Sequence, residues 1–258
     1  MRNKLLLLLP LLLLSCREKI KPYINALLLK SIEEEGISYY KRVYLYKEDG
    51  FAFIPQVKIN DTSLPITDFS YHWYLYEEEK AFAPERRYLL VIDHDGGKAT
   101  SEIIFPGNFE IKKPEENFLL QKDSNLFIIW QRAKNGERYL LSLYLAYSYL
   151  DTSGNNLSFV FASDTLISDT FFLYQKEIIF PRNVERINWG EGIINIWAVA
   201  GSLVLPGEKE NIKGRGRGFY SGLNHSGERY FRVAQVGKRT SAFSPMVKER
   251  WQRKLGLR

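Results

Sequence analysis

Beyond the first two dozen residues, apolar and aromatic positions recur with a period of two, and turn residues interrupt them at short intervals. Residues 38–47, SYYKRVYLYK, predict a strand, and Glu48-Asp49-Gly50 predicts the turn after it. In FAFIPQVKIN (51–60), Phe51, Phe53, Val57 and Ile59 suggest continued alternation, broken at Pro55 by an edge or a bulge. FSYHWYLYE (69–77) predicts a strand with Tyr71, Trp73 and Leu75 on one face. RYLLVIDHDGGKATSEIIFPG (87–107) reads as strand, glycine turn and strand. Farther on, Leu126, Ile128 and Trp130 share a face, AKNGE (133–137) predicts a hairpin turn, and Tyr139, Leu141 and Leu143 alternate on the return. GIINIWAVAG (192–201) repeats the pattern through Ile194, Ile196 and Ala198. Strands about every 8–12 residues with turn signals between them predict an all-β sandwich or barrel. PGNFEIKKPEEN (106–117), with two prolines and mixed charge, marks a boundary.

The beginning of the chain follows another rule. Arg2 and Lys4 precede an apolar stretch, Leu5–Leu14, broken only by Pro10. A membrane span needs about 20 apolar residues, so this stretch is too short to cross and matches a secretory signal. Ser15 supplies the small residue before a cleavage point. Cys16, the single cysteine of the chain, follows at once. Leu13-Leu14-Ser15-Cys16 resembles the lipobox of bacterial lipoproteins, although Leu14 is bulkier than that pattern usually has. The resemblance implies cleavage before Cys16, a diacylglycerol on its thiol and a fatty acyl (palmitate-class) chain on the new amine. The other reading is a cysteine that follows an uncleaved hydrophobic helix. With Arg17 rather than Asp after the cysteine, the resemblance implies the outer membrane. Two or three acyl chains hold a protein lastingly, at about 0.8 kcal/mol per buried methylene. With its thiol so used, the mature chain has no disulfide and depends on its core.

Composition supports such a core. The chain is 45% hydrophobic and 14% aromatic, and Tyr and Phe number 16 each, which excludes global disorder and suits strands. The net charge of +6 is uneven: residues 206–258 carry 13 Lys and Arg against 4 Glu, so the body before them is mildly acidic.

A strand ending in Trp130, a turn, Tyr139 nine residues later and a late strand closing in Ala198-Val199-Ala200-Gly201 resemble a fibronectin type III domain over residues 112–205. Residues 23–106 resemble an immunoglobulin-like domain, with RYLLVIDHDGGKAT as its late hairpin. The expected organisation is a signal peptide (1–15), a tether (16–22), an immunoglobulin-like β-sandwich (23–107) and a fibronectin type III-like β-sandwich (108–205). A Gly/Arg-containing β-hairpin packed on the second domain (206–240) and a basic amphipathic C-terminal helix (241–258) follow.

Candidate chemistry is sparse. His72, His94 and His225 show no paired metal spacing. Asp93-His94-Asp95-Gly96-Gly97 and DTSGNN (151–156) offer cation ligands, but both read as turns. Ser221, His225 and Ser226 lie close in sequence without an orienting carboxylate nearby and read as a loop. There is no G-x-S-x-G motif. No catalytic residue, metal ligand or cofactor is expected. KGRGRGFY (213–220) reads as a strand whose glycines face one way, letting another group approach, while Arg215 and Arg217 face the other toward an acidic partner or lipid phosphate. Ser244, Pro245 and Gly256 frame the tail helix, with Val247, Trp251 and Leu255 on one stripe. It docks on its own acidic body or lies on an anionic surface or a partner, in which case Lys248, Arg250, Trp251, Arg253 and Lys254 make the contact.

These readings give an exported, non-enzymatic, lipid-anchored module for binding, structure or assembly in the bacterial envelope. The expected partners are the membrane through Cys16 and an envelope protein. The alternative is a carbohydrate-binding or polysaccharide-processing accessory protein. Nucleic acid is not expected, because the Arg/Gly segment is short and exported.

Overall fold

The computed structural model describes residues 20–33 and 35–233. In chain order the strands are β1 (Tyr23–Glu33), β2 (Gly36–Tyr46), β3 (Gln56–Ile59), β4 (Thr62–Ser63), β5 (Ile66–Phe69), β6 (Trp73–Glu78), β7 (Arg87–His94), β8 (Gly97–Ile104) and β9 (Ile111–Lys113). They continue with β10 (Phe118–Leu120), β11 (Leu126–Trp130), β12 (Arg138–Asp151), β13 (Asn156–Ile167) and β14 (Phe171–Tyr174). One helical turn, α1 (Lys176–Ile179), precedes β15 (Val184–Gly201), β16 (Lys213–Gly214), β17 (Arg217–His225) and β18 (Arg229–Val233). The fold is all-β and of sandwich type, and the expected C-terminal helix lies outside the described residues.

A single 10-stranded sheet runs through the whole body. Its central strand, β15, pairs along one edge with β12, which in turn pairs with β13. Along its other edge lie β17 and then β18, in line with each other. β17 pairs in parallel with β1, which leads on through β2 and β6 to β5. Two smaller sheets, β14-β11-β9 and β16-β8-β7-β3-β4, accompany it.

Because side chains alternate across a strand, the register assigns the cores. Ile24, Ala26 and Leu28 of β1 and Tyr220 of β17 join Leu90, Ile92, Ala99, Ile103 and Phe105 in one core. Ile194, Ile196 and Ala198 of β15 and Leu141, Leu143 and Leu145 of β12 join Leu126, Ile128 and Trp130 in another. The pairing of Ala198 with Asn224, and of Ala200 with Gly222, puts both cores on the same face of the large sheet. On the opposite face Leu27, Leu29, Leu140, Ile193, Trp197, Val199 and Leu223 form a third cluster, joined by Leu203.

Six expectations need correction. The loop expected at Ser221, His225 and Ser226 is strand as far as His225, with Ser221 and His225 buried in β17, and the strand expected over 213–220 is broken at Arg215-Gly216 between β16 and β17. In its described part, 206–233, the segment expected as a hairpin on the second domain is not one. β16 completes the five-stranded sheet against β8, β17 joins β1, and Tyr220 lies in the first core, so this segment serves the N-terminal half as much as the C-terminal one. AKNGE is a turn, with Asn135 at φ 59°, but the strands it joins belong to different sheets, so it is a corner between sheets. Tyr139 fixes that corner: its hydroxyl accepts the Ala133 amide at 2.8 Å, and its ring meets Trp130 edge-on at 5.4 Å. Phe53 does not alternate into a core; it is 54% exposed in the loop before β3. Tyr71 lies in the turn between β5 and β6, whereas Trp73 and Leu75 do share a face.

Besides the shared sheet and the third apolar cluster, polar groups join the two halves. Asn224, fully buried, donates to the carbonyls of Pro106 and Gly107 at 3.0 and 2.8 Å. Lys30 donates to Asn108 Oδ1 at 2.6 Å, and burial lowers its ammonium pKa. The connection between the cores, from Phe105 to Phe109, is therefore held by side chains of β1 and β17.

Candidate functional site

On the face turned away from both cores, the N-terminal part of the large sheet carries a platform of rings. Register places Arg217, Tyr23, Tyr46 and Trp73 in one row across β17, β1, β2 and β6. Phe219, Asn25, Tyr44 and Leu75 form the next row. Neighbouring strands lie about 4.8 Å apart, so each row extends roughly 14 Å. The inward residues of the same strands, Ile24, Val43, Leu45, Tyr74 and Tyr76, fill the first core, which fixes the outward set by alternation.

The platform is half-buried, with Tyr46 the most open at 41%. Tyr44 and Trp73 pack with ring centres 6.1 Å apart and a tilt of 31°, and Tyr23 meets Phe219 at 6.4 Å edge-on. Polar groups border the rings. Arg42 pairs with Glu77 across β2 and β6 at 3.0 Å. Burial raises the Tyr23 phenol pKa, Glu210 adds to the rise, and Arg217 opposes it, which places both charges close to this ring. Burial and the neighbouring Tyr46 raise Tyr44. These tyrosines stay neutral near neutral pH and offer hydroxyls as donors and acceptors. The arrangement suits contact with a surface that has apolar patches and hydroxyl or amide groups.

Arg215 and Arg217 are exposed and belong to the same end of the sheet as Tyr23. The Arg215 amide donates to the Lys98 carbonyl at 2.9 Å, and its own carbonyl pairs with His94 Nε2 at 2.9 Å. Arg217 donates its amide to the Pro22 carbonyl. The glycines between them permit this packing. A Cβ on Gly216 would lie 2.5 Å from Ile24 Cδ1, and one on Gly218, at φ +125°, would lie 2.0 Å from the Ile24 carbonyl oxygen. Cys16, Lys248, Arg250, Trp251, Arg253 and Lys254 lie outside the described residues.

The other candidates have structural partners. Asp95 and Gly96 form the two-residue turn between β7 and β8. Burial pushes the Asp95 carboxyl pKa up, but hydrogen bonds from Lys47 Nζ and the Ala52 amide, together with the Lys47 charge, outweigh it and leave it low. Asp151 accepts the Ser153 and Asn155 amides at 2.9 and 2.7 Å, closing its turn. His225 is buried against Trp197, with ring centres 4.5 Å apart and nearly parallel, and its Nε2 lies 2.9 Å from Asn195 Oδ1. Burial drives its pKa down to about 3. Among the described residues, no three His, Cys, Asp or Glu side chains gather into a metal-binding set, and no helix is long and apolar enough to cross a membrane.

The sequence patterns identified Trp73 and Leu75 as sharing a face, but the platform itself went unseen. It takes Phe219, Tyr23 and Tyr44 from three further strands, and the parallel pairing of β1 with β17 that unites them leaves no local signal.

No family profile and no curated protein matches the sequence. Among solved structures, the chain is similar to a chain from the structures of Clostridium thermocellum CbhA fibronectin(III)-like modules, with 10% identity, a TM-score of 0.23, and coverage of 78% of this chain and 90% of that chain.

Proposed function

We propose that this chain is an exported, lipid-anchored, non-enzymatic module that binds at the bacterial cell envelope, in the outer membrane, through the open face of its large sheet. The observation that carries the binding role is the half-exposed platform of Tyr23, Tyr44, Tyr46, Trp73 and Phe219, bordered by Asn25, Arg42, Glu77 and Arg217. Aromatic residues and Arg are enriched in interface centres, where rigid rings give contact area at little entropic cost. The lipid anchor follows from the lipobox resemblance at Cys16. A second reading, as a carbohydrate-binding protein, is favoured by the shallow 31° tilt between Tyr44 and Trp73, which presents two rings to one ligand.

The test is affinity isolation of the membrane-extracted protein, native against a Tyr44→Ser/Trp73→Ser variant. An envelope protein retained by the native chain and lost by the variant supports the first reading. Loss of a retained polysaccharide supports the second. Identical retained material from both proteins overturns the platform as the binding face.

A further inference from the structure

Exposed apolar side chains collect at one end of the N-terminal half. Phe53, Ile54, Phe69 and Tyr71 are 54%, 59%, 65% and 65% exposed. Phe53 and Ile54 come from the loop after β2, Phe69 ends β5, and Tyr71 lies in the loop between β5 and β6. The loops are tied together by backbone hydrogen bonds from Lys47 to His72 at 2.8 Å and from Phe51 to Tyr71 at 3.2 Å. Tyr71 is held in place: its hydroxyl donates to the Asp49 carbonyl at 3.1 Å, and its ring covers Gly50, where a Cβ would lie 2.2 Å from it. Phe69 stacks on Tyr74 at 5.9 Å. Lys47, bonded to Asp95 at 2.7 Å and paired with Asp49 at 3.3 Å, joins the Asp95-Gly96 turn to the same end. Phe69 and Tyr71 are therefore exposed and yet held by the body, and Phe53 and Ile54 are exposed in the loop bonded to them.

This is also the end at which the chain enters the body. Tyr23 opens β1, and its cross-strand partner Tyr46 closes β2 directly before the first of the two loops. Only six residues separate Cys16 from Tyr23. Fully extended, the chain from Cys16 to Tyr23 reaches roughly 25 Å. An acylated Cys16 therefore keeps this end, and not the opposite one, beside its bilayer. Arg215 and Arg217 flank it on the β17 side, and the exposed Glu48 and Asp68 also lie there. The charge is thus mixed, and the apolar groups supply the attraction.

We propose that this end is a membrane footing: Phe53, Ile54, Phe69 and Tyr71 enter the headgroup–acyl boundary of the bilayer that holds the Cys16 lipid. Aromatic side chains favour that boundary, and a second contact beside the anchor fixes the orientation of the body. The strands of β1, β2 and β6 then rise from the surface, and the ring platform faces sideways. The inference rests on the lipid-anchor reading of Cys16.

The test exploits the single cysteine. Acylation blocks Cys16, so an introduced cysteine is the sole free thiol. Ala52→Cys at the footing and Ile37→Cys at the far end are each spin-labelled in the full lipidated chain. The protein is then reconstituted into vesicles of phosphatidylethanolamine and phosphatidylglycerol. The expected result is a severalfold higher ratio of oxygen to aqueous nickel-chelate collision at residue 52 than at residue 37. Adding Phe53→Ser and Ile54→Ser should return residue 52 to the aqueous value with an unchanged thermal midpoint. Flotation with the vesicles while both labels stay aqueous overturns the footing and leaves the anchor standing. Failure to float, with a reactive thiol at residue 16 in the unsubstituted chain, overturns the anchor and the footing with it.

Discussion

The two cores on one face of the large sheet are assembled differently. The C-terminal core draws every member from residues 109–233, the chain that surrounds it. The N-terminal core gathers residues 24–105 and then takes Tyr220, with Ile212 beside it, from far downstream. The first 107 residues therefore do not make a self-sufficient sandwich; the edge of β1 and the space above Ile24 are filled by a strand that arrives late. Two regions with similar strand content differ in how they depend on distant chain, and that dependence joins them.

The largest way to break the comparison is Gly218→Val. The new side chain meets the Ile24 carbonyl oxygen at a φ that suits only glycine, and roughly 3–5 kcal/mol of stability should be lost through overpacking and strain. Although Gly218 lies far down the chain, urea unfolding followed by hydrogen exchange at β7 and β8 should show the loss in the N-terminal core. Unchanged protection in β7 and β8 would mean that this half stands without β17.

A pH titration sharpens the point at the join. His225 has a folded pKa of about 3 against an ordinary 6.5, so between these values the unfolded state binds the extra proton. Its contribution to stability is intact above pH 6.5 and falls with acidification, by about 1.4 kcal/mol per pH unit within the window. The lowered carboxyl pKa of Asp95 produces a separate loss in the acid range, below the ordinary carboxylate pKa. In urea titrations from pH 7 to 5, His225→Gln should remove most of the slope; an equal slope in both proteins would assign it elsewhere.

The smallest effect is Asn224→Ala, which leaves the Pro106 and Gly107 carbonyls without their donor and should cost roughly 1–3 kcal/mol. It should also loosen the coupling, so calorimetry should show a broadened or divided transition. A single sharp transition at the original midpoint would show that the shared sheet alone unites the halves.

What the sequence disclosed follows from where each strand lies. β7 and β8 were legible because each buries one face and a glycine turn joins them. Trp130 and Tyr139 were recognisable as a packed pair across a turn, although the separation of their strands into two sheets was not. β1 gave no alternation because Ala26 and Leu28 enter one core while Leu27 and Leu29 enter the cluster on the opposite face. β13, with Ser158, Ser163, Asp164 and Thr165, was not picked out because it is a polar edge strand, paired only with β12. The platform was invisible for a related reason: a half-exposed ring looks like a core ring until the neighbouring strands are known.

The parallel pairing of β1 with β17 has a consequence for biosynthesis. The strands start 194 residues apart. At about 5–20 residues per second, roughly 10–40 s separate their emergence from the ribosome. During that interval the nascent N-terminal half keeps the β17 side of β1 open and cannot close into its final form, so that edge offers unpaired backbone to any competing strand until β17 arrives.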